Sequence, residues 1–540
     1  MKNHVKVEDI SKPADPLSHV DPKDLPQFTC ACPYSNPANI PEWKPLTDRA
    51  KEDYAATLDD TIALSIPKPK TKEEEQELVR KFLSGLEKLF SKENNWTFVQ
   101  PMTLSMENCA KCQTCTEACH IYESSGHNDI YRPTYRSEIL RRIYFKYLKP
   151  GGKFFGKWRY GDIDLNWTTV VRLAELAYRC NLCRRCAQTC PIGVDNGLIA
   201  HDLRKLFSQE LGIQAKELHD NGAMLQLKVG SSTGMNPAAV KDNIEFIDED
   251  TFDKTGIEIE TPWDKEGADV LLIHNAGEIL SWPENHGAFA TILQAGGLSW
   301  TLSSESQEAL GYDNINYGLF YDDVMLAKVA IKHAKAAAKL GVKKIVLGEC
   351  GHAHKALTVI ADRVLTGDLN IPRESAMTLL EDIVFSGKIK FDPSRNDFPV
   401  TLHDPCNMVR LMGIVQPQRR VLKHICPQFR EMTPHGVDNY CCGGGSGFAI
   451  MSAHNFEDWR MQVSGRKKMD QILNAFKDEL DPSIHKYVCA PCSNCKGQIR
   501  DLIRYYDMWE KCGINYGGLV ELIVNAMADA KPGFIEWEMH

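Results

Sequence analysis

Nineteen cysteines stand in the 540-residue chain, and seventeen of them fall from Cys109 onward, mostly in tight groups. A reducing cytosol does not keep disulfides, so thiolates clustered in this way point to metal. Cys109, Cys112, Cys115 and Cys119 read C-x2-C-x2-C-x3-C, and Cys180, Cys183, Cys186 and Cys190 repeat the spacing with Pro191 following. Three cysteines so spaced wrap one face of a 4Fe-4S cubane, while the fourth turns to a neighbouring cluster. The expected ligand sets are Cys109, Cys112, Cys115 and Cys190 for one cubane, and Cys180, Cys183, Cys186 and Cys119 for the other. Two cubanes interlocked in this way lie close enough for one-electron hopping. Zinc is the competing reading, but zinc sites seldom use this triple spacing with a fourth ligand, twice over. His120 follows Cys119 where proline is commoner, which changes the loop and leaves the ligands in place.

A third group has other proportions. Cys406, the adjacent Cys441 and Cys442 followed by Gly443, and Cys489 with Cys492 form C-x34-CC-G-x45-C-x2-C. Five thiolates are one more than an ordinary cubane uses, so the pattern implies an unusual cluster or an iron open to substrate. Cys495 extends the last pair to C-x2-C-x2-C and competes for the fifth position. His352, His354, His403 and His435 stand beside these cysteines in sequence; each could supply protons or simply hold a strand end by hydrogen bonds. Cys350 reads either as a thiol facing the cluster or as an inert core cysteine. Cys350 and His352 are the two candidate catalytic residues outside the quintet. Cys30 and Cys32 form a C-x-C without a partner pair, and Cys426 and Cys512 read as core or surface thiols. The run from Gly443 to Gly447 lacks both the Lys-Ser/Thr of a P-loop and the spacing of a dinucleotide fingerprint, so its expected task is to let backbone amides approach sulfur. No flavin or nicotinamide site is evident, so electrons must come from another subunit or go to one.

Helices must frame the first two groups, and strand ends the third. Thr71 and Glu74 form a capping-box pattern ahead of Leu78, Phe82, Leu86 and Leu89 on one face, which predicts a helix there. Further helices are predicted at 137–148, 169–180 and 197–211, giving a helical two-cluster domain over 71–215. Residues 1–70, polar and rich in proline, read as an extended arm that gains order on another surface. The polar, acidic 216–265 reads as a connecting segment with little core of its own. Beyond it, short aliphatic runs at 269–273, 343–347, 398–402 and 486–488 alternate with helical stretches at 323–340 and 455–477. This pattern implies parallel strands with crossover helices over 266–510, with 511–540 as a tail.

The α/β region also looks duplicated. VLLIHNAGEI, ending a strand at His274, is similar to PVTLHDPCNM, ending one at His403; IVLGECGH around Cys350 is similar to YVCAPCSN around Cys492. In that pairing Gly277 stands where Cys406 is, Leu347 where Cys489 is, and Cys350 where Cys492 is. The first half thus keeps one cysteine and cannot hold a cluster alone. The expected fold is α+β and α/β, a helical two-cluster ferredoxin domain followed by a pseudo-duplicated α/β domain, with an extended N-terminal arm.

A net charge of −9 with both signs mixed argues against a nucleic-acid partner. The opening MKNHVKVEDI has no apolar signal segment, and no stretch approaches the ~18 apolar residues of a membrane span, which implies a cytoplasmic chain. Residues 141–159 carry seven basic side chains and no acidic ones, interleaved with aromatics. Such a patch is either a solvated face or a dock for an anionic membrane surface or a membrane subunit.

On these motifs the chain resembles a known family. The third cysteine pattern is similar to the CCG domain of heterodisulfide reductase catalytic subunits, and the resemblance covers residue 71 to about 510. A like fusion occurs in the iron-sulfur subunits of glycolate oxidase and anaerobic glycerol-3-phosphate dehydrogenase. The proline-rich arm, GECGH and CCGGGSG look most similar to the DsrK family, cytoplasmic iron-sulfur subunits of DsrMKJOP transmembrane complexes. The resemblance implies that Cys406, Cys441, Cys442, Cys489 and Cys492 bind one noncubane 4Fe-4S cluster that cleaves disulfides. It implies electrons from a haem-b-containing membrane quinol oxidoreductase subunit (DsrM-like), passing through the two cubanes. The expected acceptor is a disulfide or trisulfide of a small DsrC-like protein with redox cysteines, in dissimilatory sulfur metabolism. The chain would then be an oxidoreductase acting on a sulfur group, peripheral on the inner face of the cell membrane through partner subunits. Two alternatives stay open: an electron conduit for a flavin dehydrogenase of glycolate or glycerol-3-phosphate type, and a heterodisulfide reductase of small thiols.

Overall fold

The computed structural model describes residues 4–13, 20–30 and 64–538, with Leu17, Leu58 and Ile62, apart from 307, 314 and 452–455. Cys32 and most of the expected arm beyond Cys30 lie outside the described residues.

The first module is helical. Thr71 caps the helix Lys72–Leu89 by accepting from the Glu74 amide at 3.2 Å, which frees a backbone donor from water at the helix start. Its apolar face buries Phe82, Leu86 and Leu89, and Phe82 stacks on Phe207 of Asn196–Leu211 with ring centroids 5.8 Å apart. Burial of one such side chain contributes about 1.5–3 kcal/mol. Trp167–Ala177 and Pro133–Ile143 complete the frame, the latter running on as a π turn to Leu148. Pro133 at the first helical position sets this start four residues ahead of the predicted 137.

The surface that orders the arm belongs to the chain itself. Val7–Ser11 forms a turn on the first module, where buried Arg172 donates to the carbonyls of Ile10 at 3.3 Å and Lys12 at 2.6 Å. Pro26 to Cys30 lie on the other module: Arg466 Nε donates to the Pro26 carbonyl at 2.6 Å, Phe28 meets Tyr506 edge-on, and the Thr29 amide donates to Asp470 at 2.6 Å.

The second module holds two four-stranded parallel sheets of one topology. The first has the order β2-β1-β3-β4, with β1 Val270–Ile273, β2 Trp300–Thr301, β3 Lys344–Leu347 and β4 Arg373–Ser375. The second has the order β6-β5-β7-β8, with β5 Val400–Leu402, β6 Phe429–Arg430, β7 Lys486–Cys489 and β8 Ile514–Gly517. Ile273 pairs with Leu347 at the end of the first sheet's central ladder, and Leu402 with Cys489 at the end of the second's. The duplication inferred from sequence is thus present strand for strand, with Leu347 and Cys489 equivalent.

Two expectations need correction. The segment 216–265 is no coreless connection: Pro237–Thr255 is a helix, capped by Asn236, that buries Val240, Ile244, Ile247 and Thr251 along one stripe. Its acidic residues lie largely on the outer face, which is why composition alone read as linker. Nor is 511–540 a tail, because β8 is the edge strand beside β7 and Leu519–Ala526 is buried throughout. The second half needs this last βα unit to match the first. No helix among the described residues is long and apolar enough to cross a membrane.

Candidate metal centre

Each C-x2-C-x2-C loop is bent by two left-handed residues at matching places, Lys111 and Gln113 in one and Leu182 and Arg184 in the other. None is glycine, so each costs about 1–2 kcal/mol and needs side-chain anchors to persist. Gln113 Oε1 accepts from the hydroxyls of Thr116 and Thr134 at 2.9 Å each, Lys111 pairs with Glu138 at 3.0 Å, and Arg184 pairs with Asp195 at 3.0 Å. The bends turn the thiols inward. Cys109, Cys112, Cys115 and Cys190 line one cavity, and Cys119, Cys180, Cys183 and Cys186 line another. These are the interlocked sets that the spacing predicts. Burial pushes the Cys115 thiol up to about 11, with Cys109, Cys190 and Cys112 adding to it. Burial likewise pushes Cys119 up to about 12. Thiols crowded in this way give up their protons to a bound cation.

The third group converges differently from its expected membership. Cys441 lies within hydrogen-bonding reach of Cys183, Cys406 and Cys442, Cys442 of Cys441, Cys495 and His403, and Cys495 of Cys442 and Cys492. The ligand atoms of His403, Cys442 and Cys495 all lie within 4.8 Å of one another. The Gly351 amide donates to Cys492 Sγ at 3.2 Å. The converging quintet is therefore Cys406, Cys441, Cys442, Cys492 and Cys495. Cys489 is turned away. It ends β7 inside the apolar core with Tyr487 and Cys426, and its ionisable neighbours include Glu349, Cys426, Glu521 and Lys496 rather than the other cysteines of the third group. Past the strand the chain turns, Cys492 caps Ser493–Tyr505, and Cys495 sits on that helix's first turn. Leu347 at the equivalent strand end carried the signal, since an apolar residue there marks a core position.

Two buried lysines, found by no sequence signal, supply positive charge. Lys468 donates to Asn439 Oδ1 at 2.9 Å, and burial lowers it to about 7 against the opposing pull of Cys442, Asp404, Cys441 and Cys495. Lys355 is lowered by burial to about 7, with Cys406 among the groups that oppose it. Both gain from anionic sulfur nearby.

The histidines divide. His403 faces the quintet. His352 packs edge-on to Phe320 at 4.6 Å, and burial lowers it to about 4, which keeps it neutral at pH 7. His354 spends its ring on the Cys350 carbonyl at 2.7 Å and Ser375 Oγ at 2.8 Å, a structural use. His435 is exposed and starts a short turn. Cys350 is buried opposite Cys492, and burial pushes its thiol up to about 12.

The modules meet at the second cavity. Asn181 Nδ2 donates to the carbonyls of Gly443 at 3.0 Å and Gly445 at 3.3 Å, while its Oδ1 takes Ser464 Oγ at 2.9 Å and His120 Nε2 at 2.8 Å. His120, the residue that departs from the usual ferredoxin motif, is thus part of the joint. Arg410 Nη1 donates to the Cys183 carbonyl at 2.8 Å and its Nε to that of Val437 at 2.7 Å. The glycine run serves both this contact and the sulfur: a Cβ on Gly445 would stand 2.9 Å from the Asn181 carbonyl oxygen, while Gly443, whose φ is 96° and whose added Cβ would stand 2.5 Å from Gly465 Cα in its own module, points its amide at Cys441 Sγ at 3.5 Å. All described cysteines are free of disulfides. Soft donors in two tetrads and a quintet, with buried cations beside the quintet, fit iron-sulfur clusters.

Comparison with known proteins agrees. The 4Fe-4S dicluster domain family matches residues 105–194, and the cysteine-rich CCG family matches 400–500. The Hdr-like menaquinol oxidoreductase iron-sulfur subunit 2 of Archaeoglobus fulgidus is 28% identical over 78% of this chain and 80% of its own length. One subunit of the dihydromethanophenazine:CoB–CoM heterodisulfide reductase of Methanosarcina acetivorans is 27% identical over 75% of this chain and 91% of its own. No solved structure matches significantly. With dicluster and CCG modules in this order and the likeness running through three quarters of its length, the chain is similar to the heterodisulfide-reductase-like iron-sulfur subunits.

Proposed function

We propose that the chain passes single electrons through two 4Fe-4S clusters, held by the two tetrads, to a noncubane-type cluster held by Cys406, Cys441, Cys442, Cys492 and Cys495. There a disulfide or trisulfide of a small DsrC-like protein is reduced, and the electrons originate from quinol through a haem-b membrane subunit of DsrM type. The observation that carries this reading is the meeting of Cys183, from the second tetrad, with Cys441 of the quintet. When bound, such clusters supply one-electron transfer and, at the quintet, a place for substrate sulfur. The chain's own residues supply the rest. Asn181 and Arg410 fix the spacing between modules, Lys468 and Lys355 offset thiolate charge, and the buried walls around Cys441, Cys442 and Cys495 exclude water.

The first tetrad is the outermost, with Cys112 exposed. Beside it Lys111 lies 4.2 Å from the Tyr160 ring centroid, and Phe154 and Trp158 are each 91% exposed. This face supports attachment to a membrane subunit. It is more aromatic than basic, because Arg141, Arg142 and Lys149 are spent on Glu138, Glu8 and Glu107. Two relatives support the donor and acceptor classes, since one is a menaquinol oxidoreductase subunit and another a heterodisulfide reductase subunit.

The test is anaerobic preparation of the holoprotein followed by addition of a dithiol or disulfide. A new paramagnetic signal is expected, and it should vanish in C495A. Intact clusters with no such signal would overturn the reading and leave a pure electron conduit. Co-purification with a haem-b subunit, lost in F154S/W158S, checks the membrane side.

A further inference from the structure

We propose that Asp248, Thr261, His286, His274 and Glu278 form a proton-conducting chain from the protein surface to the Cys350 side of the quintet, a role that rests on the disulfide-reducing reading above. Every link from Asp248 to Glu278 is a hydrogen bond. Thr261 Oγ1 donates to Asp248 Oδ1 at 2.9 Å and meets His286 Nε2 at 2.8 Å. His286 Nδ1 meets His274 Nε2 at 3.0 Å, and His274 Nδ1 meets Glu278 Oε2 at 3.3 Å. Asp248 is the wet end, its side chain 13% exposed, whereas His286, His274 and Glu278 are all buried.

At the inner end the Asn275 amide donates to Glu278 Oε2 at 3.1 Å. Asn275 Nδ2 reaches Ser493 Oγ at 2.8 Å and Cys350 Sγ at 3.8 Å, and Gly351, next to Cys350, donates to Cys492 Sγ. Glu278 Oε1 has no hydrogen-bond partner among the described residues. The chain therefore ends on an uncommitted carboxyl oxygen in the wall behind Cys350.

The chemistry of the links suits relay. An imidazole takes a proton on one ring nitrogen and releases one from the other, and a hydroxyl both accepts and donates. Burial keeps His274 neutral, lowering it to about 3 with Lys496 adding to the effect. Burial also raises Glu278 to about 8, opposed by Lys496 and reinforced by Glu521 and Asp313. At neutral pH the inner carboxyl is thus a loaded acid joined to neutral relays. A disulfide takes up two electrons and two protons to give two thiols. The electrons arrive through the tetrads from the quinol-derived donor; each proton leaves Glu278 and is replaced from Asp248, with no net change in the chain.

Infrared spectroscopy of the full-length holoprotein tests this without any substrate. The protonated Glu278 carboxyl band is identified by its loss in E278Q, and its shift on transfer into D2O is timed. Wild type and T261S, which keeps the hydroxyl, should exchange fast, whereas T261V and H286F should exchange at least about tenfold more slowly. With reduced methyl viologen as donor and oxidised dithiothreitol as probe, T261V should lose disulfide turnover by about tenfold while its tetrads are reduced at the wild-type rate. Exchange as fast in T261V and H286F as in wild type, or no carboxyl band lost in E278Q, would overturn the chain. Failure of the wild type to reduce any disulfide would overturn the functional reading instead, and the exchange comparison would still stand.

Discussion

In the second half of the α/β region the strand ends carry His403, Cys406 and Cys492; in the first, the same places hold His274, Gly277 and Cys350 on the same order of four parallel strands. Where the thiols survive, they gather with His403 and buried Lys468. Where they are gone, the space is filled by a buried imidazole pair and a carboxyl joined by hydrogen bonds. One scaffold thus tolerates two kinds of filling at its strand ends. A buried thiolate group needs a cation, while buried neutral acids and imidazoles need only each other. Between the halves lies a third arrangement, in which Lys496 bridges Glu521 at 3.3 Å and Glu349 at 3.7 Å, all three buried.

Substitutions at equivalent residues of the two halves should differ most in effect. C495A or C492A should remove the quintet's metal, a loss of about four irons per chain, while C350A keeps full iron content; metal and acid-labile sulfide analysis decides. Next in size is the seam. K496M leaves two buried carboxylates without their cation and should destabilise the fold by about 3–5 kcal/mol in denaturant unfolding.

A smaller effect separates the halves by pH. The folded-state value of Glu278 is raised from 4.5 to about 8, so its contribution is full below 4.5 and is lost as pH rises through 8. His274 is lowered from 6.5 to about 3, so its contribution is full above 6.5 and is lost as pH falls toward 3. Thermal unfolding across pH should therefore decline on both sides, and E278Q should flatten the alkaline side alone. The smallest expected change is C489L, which copies Leu347 and should alter stability by less than about 1.5 kcal/mol with iron unchanged; iron lost there would restore Cys489 to the ligand set.

Much of this was legible in the residues. The two tetrads follow from spacing alone, because a loop of seven residues leaves its thiols little freedom. The helix after Thr71 and the strand ends at His274 and His403 were legible for a like reason, each marked by local chemistry. The fifth thiol was not, since C-x2-C-x2-C does not say where the strand stops and the helix starts, and that point decides which cysteines turn outward. Pro237–Thr255 carried its signals, Asn236 before and Gly256 after, but its acidic face hid the apolar stripe. Lys468 and Lys355 were invisible, because a lone lysine has no period and only burial gives it meaning.

The hold of Arg466, Tyr506 and Asp470 on Pro26, Phe28 and Thr29 joins residues more than four hundred positions apart. During synthesis the segment leaves the ribosome long before its seat, so it must wait through translation of more than four hundred residues before it can settle. Maturation then acquires a built-in order, in which the helical module can be loaded with metal while the strap is still loose and a later stretch of polypeptide fastens it.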